Sequence, residues 1–185
     1  MRVIAGEARG VPLVAPKGSG TRPTADRLKG AMFAVLGERG GRGRVADLFA
    51  GSGALGIEAL SRGAEHCDFV ESARTACKTI ETNLARTRLA GRARVICRPV
   101  ARFLAADPAA VGPYDLMLMD PPYALAGFAD LLETVASSPL VGTDSALVVE
   151  HASRVEPPAR LGPLALAKTR RHGDGAFSLY LAELT

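Results

Sequence analysis

The stretch from Val45 to Leu60 constrains this chain more than any other. Val45-Ala46-Asp47-Leu48-Phe49 is a short apolar run carrying an acid, Ala50-Gly51-Ser52-Gly53 is a turn, and a helical pattern follows to Leu60. Gly51, Gly53 and Gly56 have the G-x-G-x-x-G spacing of a loop that binds a nucleotide-like ligand at the end of a parallel strand. Glycines let the backbone turn sharply and approach a ligand, and the next helix presents unpaired N–H groups to it. Leu55, Ala59 and Leu60 supply the apolar face that holds this helix on a sheet.

Such a motif alone also fits an ordinary tight turn. Two later features add to it. Twenty residues after Gly51, Cys67-Asp68-Phe69-Val70-Glu71 ends in an acid, where a ribose-binding carboxylate is expected. Farther on, the run Tyr114 to Met119 stops in Asp120-Pro121-Pro122-Tyr123. Packing alone gives little reason for an acid, two prolines and an aromatic at the end of a strand.

The pattern around these features alternates. Strands are expected at 45–49, 66–71, 93–97, 114–119 and 145–150, with helices at 53–62, 73–88, 100–106 and roughly 127–137 between them. Residues 164–168 and 177–181, separated by Arg170 to Gly175, read as an antiparallel hairpin. This order predicts an α/β fold, Rossmann-like, with a mostly parallel seven-stranded sheet and an antiparallel C-terminal hairpin. Ligands in such sheets bind beyond the carboxyl ends of the strands, where Asp47, Glu71 and Asp120 all fall.

Before this alternation lies a basic segment. Residues 1–44 hold nine Lys/Arg against three acids, a net of +6, leaving −2 on the other 141 residues. Residues 1–20 read as a β-hairpin or arm, with Pro12 pointing to an edge strand, and 21–185 as the main domain. Thr24 is a plausible N-cap for a helix bearing Leu28, Ala31, Met32, Val35 and Leu36 on one stripe. The imbalance fits a polyanionic partner as well as a merely solvated face. Cys67, Cys77 and Cys97 lack metal-ligand spacing and suggest reduced thiols. With no apolar run long enough for a membrane and no signal-peptide pattern, a cytoplasmic protein is expected.

Asp120 to Tyr123 also has a direct chemical reading. An exocyclic amine on a base has a delocalised lone pair and is a poor nucleophile. A carboxylate and an adjacent carbonyl accepting its hydrogens would orient it and stabilise the charge formed on alkyl transfer. Pro121 and Pro122 fix the turn and lack N–H groups. Tyr123 offers a flat face for stacking a base.

Asp47 to Ala64, Asp120 to Tyr123, Arg22-Pro23-Thr24 and Gly173 to Tyr180 together resemble the RsmD-type class I methyltransferases. That family methylates the N2 of a guanine in bacterial 16S ribosomal RNA from S-adenosylmethionine. The resemblance implies a cofactor site at Asp47, Phe49, Ala50, Gly51, Ser52 and Gly53, with Glu71 on the ribose hydroxyls beside Ser72, and Asp120 facing the cofactor. It implies that Asp120, Pro121, Pro122 and Tyr123 hold the target guanine, and that Arg2, Arg9, Lys17, Arg22, Thr24 and Arg27 dock RNA. The expected partner is 16S ribosomal RNA in the small subunit or its assembly intermediate, met by a monomer without a metal. One departure is Arg98-Pro99-Val100, where relatives usually carry an acid for the adenine, so adenine must be held by backbone or apolar contacts.

Other classes share parts of this pattern. An NAD-dependent oxidoreductase shares the glycine fingerprint and the distant acid, but normally needs a substrate domain and has no use for Asp-Pro-Pro-Tyr. A DNA adenine-N6 methyltransferase usually adds a recognition domain, and a protein glutamine-N5 methyltransferase typically has Asn at Asp120. A non-catalytic RNA-binding protein would keep only the basic arm.

Overall fold

In the computed structural model, residues 1–15, 23–105, 112–122 and 127–182 are described. From residue 44 onward apolar runs become strands and periodic segments become helices. The order is α1 (Pro23–Leu36), β1 (Arg44–Leu48), α2 (Ala54–Ser61), β2 (His66–Glu71), α3 (Arg74–Thr87), β3 (Ala93–Cys97), α4 (Val100–Leu104) and β4 (Tyr114–Met119). It continues with α5 (Phe128–Ala136), β5 (Val141–Ala152), β6 (Arg160–Leu161), β7 (Leu164–His172) and β8 (Gly175–Ala182). The predicted break after α1 is a short 3-10 helix, Gly37–Gly41.

One eight-stranded sheet runs β3-β2-β1-β4-β5-β8-β7-β6. The first five strands in this order are parallel and the last three antiparallel. This is the α/β fold expected, with one strand more than seven. The extra strand, β6, is two residues long and too short to carry an alternating pattern. The closing hairpin is also longer than expected. Arg170 and Arg171 pair with Phe177 and Ala176, and the turn shrinks to Gly173-Asp174, with Gly173 at φ +61. Their charges leave the edge ladder intact because both side chains are exposed.

Alternation along each strand sends side chains to two cores. Val45, Phe69, Leu116, Leu118, Ala146, Val148 and Phe177 face α1, α2 and α3. Leu48, Val70, Met117, Met119, Leu147 and Val149 face α4 and α5. In α1, Leu28, Met32 and Leu36 recur every four residues and are buried, as the stripe predicts.

The leading arm folds back into the first core. Val3, Ala8 and Leu13 are buried there. Its two limbs pair antiparallel about Arg2 and Pro12, the Val3 N–H donating to the Val11 carbonyl (3.0 Å), the Leu13 N–H to the Met1 carbonyl (3.0 Å) and the Gly10 N–H to the Val3 carbonyl (2.9 Å). Several of their remaining polar groups bond to the body. The buried Glu58 carboxylate of α2 accepts the N–H groups of Ile4 (2.8 Å) and Ala5 (3.0 Å). Ser61 Oγ accepts from Ala8 N and donates to the Ala5 carbonyl. Asn83 of α3 pairs with both backbone groups of Val14. Lys29 reaches Glu58 at 3.3 Å and the Arg2 carbonyl at 2.7 Å.

Candidate active site

The turn after β1 is built by three glycines and an acid. Gly51 and Gly53 have φ of +55 and +77, a region that L side chains avoid, and Phe49 also takes a positive φ of 62. Gly56 is needed for a different reason. A Cβ there would lie 2.4 Å from the Phe69 ring and 2.7 Å from Cys67 Sγ, so only glycine lets α2 lie this close to β2. Asp47 Oδ2 accepts the Gly56 N–H at 2.8 Å and ties the strand to the helix start. Glu71 reaches across from β2, accepting Gly51 N at 2.9 Å on one oxygen and Ala73 N at 2.8 Å on the other.

Register brings the functional positions into one rank. Val70, Leu48, Met119 and Val149 are successive partners across β2, β1, β4 and β5. The residues one step farther are Glu71, Phe49, Asp120 and Glu150. Strand parity puts Asp47, Asp120 and Glu150 on one face of the sheet. They line a cavity of about 220 Å³ with Lys29, Met1, Phe49, Ala50, Gly51 and Ser52. Burial raises the carboxyl of Asp47 well above the usual range, with Asp120 and Glu71 adding to the effect and the Gly56 N–H opposing it. Asp120, which opens to the cavity mouth, is pushed up to about 6 by desolvation. Burial lowers the Lys29 ammonium, against the pull of Glu58.

A second cavity, about 270 Å³, lies on the other side of Phe49. Its walls are Phe49, Val70, Glu71, Ser72, Pro99, Val100, Ala101 and Leu131. Apart from the Glu71 and Ser72 end, this lining is apolar. Pro99 thus belongs to an apolar wall, in keeping with the absence of an acid there.

The model of a family described as Conserved hypothetical protein 95 matches residues 1–181. The Escherichia coli (strain K12) protein named Ribosomal RNA small subunit methyltransferase D is 31% identical over 183 residues, covering 99% of this chain and 90% of the relative. The Bacillus subtilis protein YlbH is 37% identical over 180 residues, covering 97% of this chain and 98% of the relative. The solved structure of yhhF from Escherichia coli superposes with a TM-score of 0.83 at 32% identity, covering 100% of this chain and 99% of that one. The chain belongs to this family, the RsmD-type methyltransferases.

The basic leading segment of this chain has a definite place in the structure. Arg2 and Arg9 of the arm and Arg27 of α1 are exposed and line one cleft of about 420 Å³ with Asp26, Gly10 and Gly30. The Asp26 Oδ1 atom is buried there with no hydrogen-bond partner among the described residues. This cleft and the acid-lined cavity have no lining residue in common, but the arm and α1 contribute to both. Arg2 lines one and Met1 the other, while α1 gives Arg27 to the first and Lys29 to the second. Lys17, Arg22 and Tyr123 lie outside the described residues, as does the side chain of Thr24. Pro121 is buried and Pro122 exposed at the exit of β4.

Sequence reasoning leaves Lys29 for solvent or a ligand and passes over Glu150, Ala101 and Leu131. Glu150 had a signal, since it is an acid at the end of a predicted strand, as Asp47, Glu71 and Asp120 are. Lys29 had none, because its role follows from the arm folding over α1.

Proposed function

We propose that this chain transfers a methyl group from S-adenosylmethionine to the exocyclic N2 of a guanine in the 16S ribosomal RNA of the small subunit. The observation that carries this reading is the shared cavity in which Asp120 stands beside the glycine turn and Asp47. The site fits the donor on its own terms. Positive-φ glycines leave the turn open to close approach, an acid waits at the sheet end, and an apolar slot adjoins Glu71. Asp47 and the Ala50 to Gly53 backbone would hold the amino-acid end, Glu71 with Ser72 the ribose, and Phe49, Pro99, Val100 and Leu131 the adenine. S-adenosylmethionine supplies an electrophilic methyl on a sulfonium when bound.

The chain's own residues then have simple tasks. The Asp120 carboxylate and the Pro121 carbonyl accept the two hydrogens of the amine and leave its lone pair directed away from them. As the new N–C bond forms, positive charge grows on nitrogen, and the nearby carboxylate stabilises it more than the neutral ground state. The methylated amine then loses one proton, for which Asp120 is the adjacent acceptor. Tyr123 stacks on the base, which is turned out of its helix. Arg2, Arg9, Lys17, Arg22, Thr24 and Arg27 take phosphates and sugars of the same RNA, feeding the base from the basic cleft into the acid-lined cavity.

The test is incubation with tritium-labelled S-adenosylmethionine and unmodified small-subunit RNA, free and assembled, followed by nucleoside analysis. N2-methylguanosine is expected as the labelled product. Label in N6-methyladenosine, or no label with either substrate, would overturn the reading.

A further inference from the structure

Glu150 lines the acid-lined cavity and has no task in the chemistry above. Its position is set firmly by the sheet. β5 continues two residues past it to Ala152, with Glu150 paired to Phe177 of β8 and Val149 to Met119 of β4. Its neighbours Val149, His151 and Ala152 are buried, and His151 is anchored to Ser178 Oγ at 2.8 Å. Glu150 therefore stands one strand over from Asp120, on the same face and in the same rank. Adjacent strands are about 4.8 Å apart, a spacing that lets two carboxylates reach neighbouring atoms of one base.

We propose that Glu150 is a specificity-determining residue, whose carboxylate accepts the ring N1–H of a guanine while Asp120 accepts its N2 amine. This rests on the guanine-N2 reading and extends it to how the base is chosen. Three bases carry an exocyclic amine, and they differ at the adjoining ring nitrogen. Guanine has an N–H there, whereas adenine N1 and cytosine N3 carry a lone pair. Two neighbouring acceptors match the donor pair of guanine. The same two acceptors set a carboxylate against the lone pair of adenine or cytosine, and a hydrogen-bonding site left with mismatched groups rejects the wrong ligand strongly. Lys29, 4% exposed and held by Glu58 and the Arg2 carbonyl, keeps a cation in the same wall.

The test is a change of preference, not a loss of rate. In small-subunit RNA the mapped target guanine is replaced by 2-aminopurine, which keeps the amine but has a lone pair at N1. The wild type should prefer guanine in kcat/KM by about 10–100-fold, the discrimination typical of one well-placed base contact. E150Q can donate its amide hydrogen to that lone pair, so its preference should collapse to within a few fold, and E150A should lose rate on guanine without gaining 2-aminopurine. Cofactor affinity, read by calorimetry, should stay within a few fold in both variants. An unchanged guanine preference in E150Q, or a variant whose defect is weakened cofactor binding, would overturn the assignment. Should the wild type label a nucleoside other than N2-methylguanosine, the underlying reading fails instead, and the two failures are separable.

Discussion

Asp47 holds a carboxyl where charge is costly. It is 1% exposed, accepts the Gly56 N–H, and is pushed well above its ordinary range mainly by burial. A raised acid favours the protonated form in the folded state, so its stabilisation is full in acid and lost as pH rises. D47N keeps an acceptor for Gly56 and has nothing to ionise. Its stability relative to wild type should therefore grow as pH rises above the ordinary carboxylate range in urea titrations without ligand; parallel curves would contradict this. Asp120 gives the companion prediction in activity. With its carboxyl near 6 through desolvation, the accepting form declines below that pH. Single-turnover rates should fall about tenfold per pH unit there, and the slower D120N should show no such inflection. An inflection retained in D120N would assign the pH dependence elsewhere.

At the scale of elements, α2 is the piece that binds the arm to the body. Glu58 is fully buried and serves two arm N–H groups, Lys29, and Arg62 at 2.8 Å. E58A would strand a buried ammonium and two backbone donors, a loss of about 3–5 kcal/mol. Denaturant unfolding should report this, and a change under about 1 kcal/mol would show that the arm is held by its apolar residues alone. The same contacts explain how far the sequence could be read. The β1–α2 turn, the alternation and the strand-end acids are local patterns, and they placed Asp47, Glu71 and Asp120 correctly in the fold. The burial of Val3, Ala8 and Leu13 depends on partners more than forty residues away, such as Glu58, Ser61 and Asn83, and leaves no periodic trace. Lys29 was read as a solvent or ligand residue, yet it is 4% exposed because the arm covers it. Glu150 escaped notice because one acid ending a strand looks like any solvated end until register sets it beside Asp120.

Across the whole molecule, the arm and α1 contribute to two spaces, a basic cleft and an acid-lined cavity at the strand ends. The described part of the chain has no helix long and apolar enough to cross a membrane. Because the arm belongs to the core, the proposal that it docks RNA is best tested by side chains and not by deletion. R2A/R9A/R27A should leave cofactor affinity intact while reducing the slope of log affinity for RNA against log salt by about two. An unchanged slope would give the cleft a structural role only. The central claim is that Asp120 holds the amine during transfer. The measurement that tests it most directly is the single-turnover rate of methylation of small-subunit RNA by D120A, alongside its affinity for S-adenosylmethionine. A rate lowered by about 10²–10⁴ with cofactor affinity within a few fold is expected; a rate within a few fold of wild type would contradict it.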